Sequence, residues 1–396
     1  MSEGLLSTIG DHYPYSPIQY HDSWLAVDPV IGCKASCSYC LLRLAGWTGV
    51  RPEVVESTTD IVEQLVSHRY FIPNETKLCY GTRTDVLMPE VIPHMTAFLT
   101  ELEKRGLRNP VALISKKEIS EETADTIANL RNVRVVFLCS WSALPSHVEK
   151  GIRQGSALAT MRRLTKRQVP VIHYFRPMLP ANTDELTLRE VLSSAATWSR
   201  ATVHVGIKLN DGLQRFYTES EILKPAAGRP SDEGSWTPPE AVQNLRRIAA
   251  EICPEHPLYE HTSCAVSHVL GEADYTATIH RPSICKPSRC PSLQRARCAD
   301  SRKVPTASEV ETSLARIGLT NSATVEGEHI HIDGSLSQED YCYLLHRFNV
   351  PIASTVNFFR VFRGSIFSTP EAVPEGQPAT SEPNAANSRE ESSHGL

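Results

Sequence analysis

The sequence predicts an α/β fold, a partial or complete (β/α) barrel. Two observations carry that expectation. From about residue 24 to 262, short apolar runs alternate with amphipathic helical patterns, and six or seven such units follow one another. Strands that alternate with helices imply βαβ units and a parallel sheet. In a barrel built this way, the chemistry sits at the C-terminal ends of the strands.

The apolar runs are 25–31, 78–81, 111–115, 133–140, 169–175, 202–209 and 258–262. Between them, residues 60–68 place Ile61, Val62, Leu65 and Val66 on one helical face. Comparable patterns occupy 91–104, 121–130, 156–167, 187–199 and 239–252. Residues 1–23 are expected to be an N-terminal extension, and 210–237, rich in Gly, Pro, Ser and charge, a long loop. Residues 263–304 show little periodicity and much Cys, Pro and Arg. Residues 305–368 read as a small α+β appendage, with helices near 310–317 and 337–348 and a strand at 329–332. The tail, 369–396, has almost no large apolar residue and is expected to be disordered.

The chain has 396 residues, 41% of them hydrophobic, and a net charge of −5. That is enough for a sizeable core, and it argues against a protein that coats nucleic acid generally. No secretory signal and no membrane-spanning run is visible, so a cytoplasmic protein is expected. Eleven cysteines without a signal peptide are poor candidates for a disulfide framework. Most of them fall into two groups, which points to metal.

The first group is Cys33, Cys37 and Cys40, spaced C-x3-C-x2-C directly after the first apolar run. This spacing lets three thiolates wrap one face of a [4Fe–4S] cluster. Three ligands for four irons leave one iron open to chelate a small molecule. Structural zinc normally takes four ligands, and no fourth Cys or His follows nearby. Tyr39 supplies an aromatic wall beside the last cysteine.

With its aromatic residue before the last cysteine, this motif resembles the hallmark of the radical S-adenosylmethionine superfamily. The resemblance is closest to the branch of spore photoproduct lyase and its photolyase-like relatives. Further segments carry it over roughly residues 24–210: Gly81-Thr-Arg-Thr-Asp85 with Met88-Pro89, Ile114-Ser-Lys116, Phe137-Leu-Cys-Ser140, and Arg176-Pro-Met-Leu-Pro180 running on to Asp184. It implies a barrel of the radical S-adenosylmethionine type and reductive cleavage of S-adenosylmethionine at the cluster. It also implies an external one-electron donor of the flavodoxin or ferredoxin type. Gly81, Thr82 and Thr84 would present the second-strand loop to the amino end of the cofactor. Lys116 and Ser140 would meet its carboxylate. Asp85 would orient the loop or cap a turn. Lys116 also stands beside Lys117, a pairing common on solvated loops. Glu149, Lys150 and Arg153 are open between cofactor contact and a solvated helix start. His173, on an apolar strand, reads as a core histidine. In one respect the chain departs from the lyase: the cysteine that returns a hydrogen atom to the product radical there is matched by Thr82. A hydroxyl O–H is a poor hydrogen-atom donor, which argues against repair of spore photoproduct. No catalytic residue is assigned, and the substrate is open.

The second group is Cys264, Cys285, Cys290 and Cys298, spaced C-x20-C-x4-C-x7-C. Four thiols suffice for a second [4Fe–4S] cluster or for zinc, and unbound thiols are the third reading. Arg281, Lys286, Arg289, Arg295, Arg297, Arg302 and Lys303 surround them, and Arg162, Arg163, Lys166 and Arg167 form another basic run. Either run is able to meet phosphates of a nucleic acid, or simply to form a solvated face. The competing reading of the whole chain is a non-catalytic iron–sulfur or zinc module associated with nucleic acid.

Overall fold

The computed structural model describes residues 15–208, 235–276, 285, 290–301 and 303–356. The tail, the first residues and nearly all of the expected 210–237 loop lie outside these.

Among the described residues the main sheet has eight strands: β1 (Ile18–Tyr20), β2 (Leu25–Val27), β3 (Leu78–Tyr80), β4 (Pro110–Ser115), β5 (Arg134–Ser140), β6 (Val171–Phe175), β7 (Thr202–His204) and β8 (Leu258–Tyr259). They lie side by side in chain order. β1 is antiparallel to β2, and every later neighbour is parallel. Among the described residues one α-helix lies between the strands of each parallel pair: α1 (Thr58–Ser67), α2 (Ile92–Lys104), α3 (Glu121–Ala128), α4 (Ser156–Lys166), α5 (Glu185–Trp198) and α6 (Pro239–Ile252). Among the described residues the sheet does not close, so of the two expected forms it fits the partial barrel. The run 25–31 breaks at Asp28-Pro29, because proline has no N–H for the ladder, and resumes as a short pair between Val30–Ile31 and Glu53–Val54.

The strand period of two sorts side chains between faces. Leu25, Val27, Val111, Leu113, Val135 and Phe137 join one core with Ile61, Leu65, Phe98 and Leu164 of the outer helices. Ala26, Cys79, Ala112, Val136, Leu138, Ile172 and Tyr174 form the core of the concave face. Serine and aspartate side chains cap several helices; Ser57 and Ser120, for example, accept from Asp60 N–H and Thr123 N–H.

Among the described residues, the stretch from 263 to 304, expected to lack periodicity, holds two helices, α7 (Thr262–Leu270) and α8 (Ser292–Asp300). The sequence signal fails for a physical reason. α7 packs across β5 to β8 on the concave side and buries Ser263, Cys264, Ala265, Val266 and Ser267, so it has no single apolar stripe. The appendage comprises α9 (Ala307–Arg316), the hairpin β9 (Ala323–Glu326) and β10 (His329–Ser335), α10 (Gln338–Phe348) and β11 (Ile352–Val356), which pairs parallel to β10. α10 covers the edge strand β1: Tyr20 N–H donates to Glu339 (2.9 Å) and Tyr70 Oη to Asp340 (2.7 Å). No helix among the described residues is long and apolar enough to cross a membrane.

Candidate metal centre

Cys33, Cys37 and Cys40 lie on the loop that leaves the C-terminal end of β2. Cys33 is buried, with its N–H on Trp47 O at 2.9 Å; the Trp47 side chain is fully buried and anchors the loop's return. Cys37 lies in a short strand, Ser36–Cys37, antiparallel to Glu149–Lys150, which places it directly opposite Glu149. Cys40 begins a single turn, Leu41–Ala45, and Arg43 Nε donates to the Cys37 carbonyl at 3.0 Å. The loop is therefore pinned at each of its cysteines by backbone bonds.

Burial pushes all three thiols above their ordinary range. Cys33 is raised by burial and then by the charges of Asp85 and the other two cysteines. Cys37 is raised by burial to about 12, with Lys116 opposing and Cys40 and Glu149 reinforcing. Burial raises Cys40 too, opposed by a backbone N–H and then by the charges of Arg43, Lys116 and Arg176. Three desolvated sulfurs that repel one another as thiolates are the donor set a soft cationic cluster neutralises. The number and type of donors fit a [4Fe–4S] cluster with one open iron. Among the described residues no three His, Cys, Asp or Glu side chains stand as ligands of a single ion would.

Three strand ends converge beside this loop on the concave face. The alternation Ala112, Ile114, Lys116 on β4 continues as Val136, Leu138, Ser140 on β5 and Ile172, Tyr174, Arg176 on β6. Lys116 Nζ donates to Ser140 Oγ at 2.9 Å and to the Arg176 carbonyl at 3.3 Å, and it lies 2.9 Å from Glu149 Oε1. It also stands 5.5 Å from the centre of the Tyr39 ring. Glu149 accepts from Ser142 Oγ at 2.7 Å and from Tyr39 Oη. Burial works against the Glu149 charge, but Lys116 and the two hydroxyls hold its carboxyl below the ordinary value. Asp85 ties the loop after β3 to the end of β4, accepting from Ser115 Oγ (2.6 Å) and Lys116 N–H (2.9 Å).

Gly81, Thr82 and Thr84 form that loop. Gly81 adopts φ +76°, and a Cβ there would meet Val86 Cγ1 at 2.7 Å, so the turn needs glycine. Thr82 Oγ1 donates to Asp28 Oδ2 at 2.7 Å, while the Thr82 and Arg83 amides donate to Asp28 Oδ1. Thr84 Oγ1 donates to Gly32 O at 2.6 Å, one residue before Cys33. The loop is thus fastened to the cysteine loop through side chains.

The structure brings Cys37, Cys40, Lys116 and Ser140 together with three residues that the sequence left without a firm role: Asp28, Glu149 and Arg176. The strand alternation marks Arg176 in retrospect; nothing local marks Glu149, because its partner lies across the barrel mouth. His173 faces the outer helices, fully buried, with Nδ1 on Thr202 Oγ1 (3.1 Å) and Nε2 on the Trp141 carbonyl (3.0 Å). Lys150 is exposed, and Arg153 pairs with Glu118. The second set of cysteines lies apart, around α7 and α8. In the basic run on α4, Arg163 and Arg167 are paired with Glu118, Glu121 and Asp125 at 2.5–3.3 Å.

No protein-family profile and no curated protein sequence matches this chain. Among solved structures, it is similar to spore photoproduct lyase complexed with dinucleoside spore photoproduct (TM-score 0.46, 14% identity, 65% of this chain and 85% of that one). It is also similar to Streptococcus suis SuiB bound to S-adenosylmethionine (TM-score 0.40, 10% identity, 63% and 52%). A third similarity is to the radical S-adenosylmethionine methyltransferase TsrM from Kitasatospora setae (TM-score 0.35, 16% identity, 46% and 36%).

Proposed function

We propose that this chain is a radical S-adenosylmethionine enzyme, with a [4Fe–4S] cluster on Cys33, Cys37 and Cys40. The observation that carries this reading is the meeting of Cys37 and Cys40, on the loop that also carries Cys33, with Lys116, Ser140 and Arg176 at the C-terminal ends of parallel strands. Cys33, Cys37 and Cys40 would hold the cluster, which, reduced by an external one-electron donor, would supply the electron for cleavage of S-adenosylmethionine and so the radical chemistry of the site.

The chain's own residues bind and orient. Lys116 has a proton to donate toward a carboxylate and is held in place by Ser140 and Glu149. Thr82, fixed by Asp28, positions the backbone of the Gly81–Thr84 turn. The Tyr39 ring stands 5.5 Å from Lys116 Nζ and offers that ammonium its face. The reading includes a flavodoxin- or ferredoxin-type electron donor, a cytoplasmic setting, and Cys264, Cys285, Cys290 and Cys298 as a second metal site, a [4Fe–4S] cluster or zinc. The substrate is not named. A nucleic acid would have to bind without Arg163 and Arg167, whose charges are already met by carboxylates.

The test is anaerobic reconstitution followed by reduction in the presence of S-adenosylmethionine. A reductant-dependent yield of 5′-deoxyadenosine that Cys37→Ala abolishes is the expected result. No yield from a chain carrying its full complement of iron would overturn the proposal.

A further inference from the structure

We propose that the outward side of the cysteine loop, ringed by Lys34, Arg51, Lys150 and Arg153, is the docking surface for an acidic one-electron carrier protein. This rests on the reading of the loop as the seat of a [4Fe–4S] cluster and names where the electron enters. The reduced carrier gives up one electron to the oxidised cluster, and no bond forms or breaks.

The ribbon that carries Cys37 has two unlike sides. Its register pairs Ser36 with Lys150 and Cys37 with Glu149. Successive side chains of a strand point to opposite faces. Cys37 and Glu149 are buried, on the side where Glu149 meets Lys116. Lys150, on the other side, is exposed. The inner side thus serves the strand ends, and the outer side is open to a partner.

That outer side is thinly covered. Gly49 and Gly151, both exposed, lie against the segment between Cys33 and Cys37. A Cβ on Gly151 would meet Ala35 Cα at 3.2 Å, and one on Gly49 would lie 3.7 Å from Ser36 Cβ. Gly49 N–H donates to the Ala35 carbonyl at 3.0 Å. Ala35, midway between the two cysteines, therefore lies under exposed glycine backbone. Electron tunnelling falls off steeply with distance, so a carrier seated here gains from the thin cover.

The charges around it are in excess of one sign, although the whole chain carries a net −5. The side chains of Lys34, Arg51 and Arg153 are 51%, 80% and 74% exposed. Lys150 has no ion-pair partner among the described residues. The acids that meet these cations are shared. Glu90 serves both Lys34 and Arg51, the latter at 3.8 Å, and Glu118 serves both Arg153 and Arg163. A surplus of positive charge remains, which steers a partner of opposite sign and fixes its orientation. Electron-transfer encounters bury little surface, under about 1,200 Å², and need no large apolar core. Val54, exposed three residues beyond Arg51, supplies an apolar contact at the rim.

The experiment uses the full chain, anaerobically reconstituted, with a bacterial flavodoxin of acidic net charge as the probe. Arg51→Glu/Lys150→Glu is compared with wild type and with Lys104→Glu/Arg131→Glu. The latter makes the same charge change at exposed positions, at the end of α2 and just before β5. The first readout is flavodoxin affinity and its dependence on salt. The loop pair is expected to weaken binding roughly tenfold and to flatten the salt dependence, and the control pair to stay within about twofold of wild type. The second is deoxyadenosine yield, driven in turn by reduced flavodoxin and by dithionite. The loop pair should lower the flavodoxin-driven yield roughly tenfold and leave the dithionite-driven yield within about twofold.

No binding by the wild type, unchanged affinity in the loop pair, or an equal loss in the control pair would overturn the inference. So would an equal loss with dithionite. Phosphates of a nucleic acid are the competing occupant: a loop pair that loses affinity for a double-stranded oligonucleotide and keeps flavodoxin would overturn it as well. A wild-type chain that binds flavodoxin through these residues and makes no deoxyadenosine with dithionite would sink the proposed function alone.

Discussion

Lys116 Nζ lies 2.9 Å from Glu149 Oε1, joining the end of β4 to the short strand that pairs with Cys37. Both side chains are mostly buried, 16% and 10% exposed. Removing the lysine strands a desolvated carboxylate, so Lys116→Met is expected to cost about 3 kcal/mol. Glu149→Gln keeps an acceptor for Tyr39 and Ser142 and should cost less, ~1–2 kcal/mol. Urea midpoints of the two variants check the order. Lys116→Met should also lower the deoxyadenosine yield by roughly tenfold while the iron content stays constant.

Gly81→Ala tests the turn that carries Thr82 and Thr84. The substitution forces a side chain into φ +76° and a Cβ against Val86 at 2.7 Å. A loss of ~1–3 kcal/mol is expected. In Gly81→Ala/Val86→Ala the clash is relieved and the backbone strain is not. The double variant should therefore lose more than Val86→Ala alone in a thermal-melt comparison, by roughly 1 kcal/mol.

Asp28 is buried and accepts from two amides and the Thr82 hydroxyl, with Arg83 Nε 3.6 Å away. Burial raises its carboxyl, against the pull of Arg83 and the Thr82 bonds. Asp28→Asn puts an NH2 where an acceptor is needed and removes the carboxylate that stands 3.6 Å from Arg83 Nε. About 2–4 kcal/mol should be lost, and about 1 kcal/mol in Thr82→Val, both read from denaturant titrations.

His173 and His256 share the hydroxyl of Thr202, at 3.1 Å and 2.8 Å. Burial lowers each from 6.5 to about 4. The folded chain thus keeps both neutral at pH values where the unfolded chain takes up protons. Their contribution is intact above pH 6.5 and is lost as pH falls from there toward 4. The slope approaches about 1.4 kcal/mol per pH unit for each histidine. Urea midpoints between pH 7.5 and 4.5 should show the fall, and His173→Gln should flatten it; an unchanged slope in that variant would count against the assignment.

The strand and helix runs of the barrel were legible because burial imposes periods of two and 3.6 on a chain with one buried stripe per helix. The patterns at 91–104, 156–167 and 239–252 coincide with α2, α4 and α6 to within a residue. α7 escaped because it is buried on several sides by small residues, and α8 because almost nothing on it is apolar. At the site, the cysteine triplet announced itself by local spacing. Glu149 and Arg176 did not, since their significance depends on distant residues: Tyr39 Oη meets Glu149 across 110 residues, and Lys116 Nζ meets the Arg176 carbonyl across 60.

By itself, the sequence determined the order of strands and helices, the thiol-rich loop after β2 and the presence of a second thiol set. These follow from local pattern, because periodicity and spacing are properties of neighbouring residues. Only the tertiary structure decided that Lys116, Ser140, Glu149 and Arg176 share one network and that Thr82 is held by Asp28. Parallel pairing brings those strand ends together across whole helices, and the desolvation of charges there gives each contact its weight.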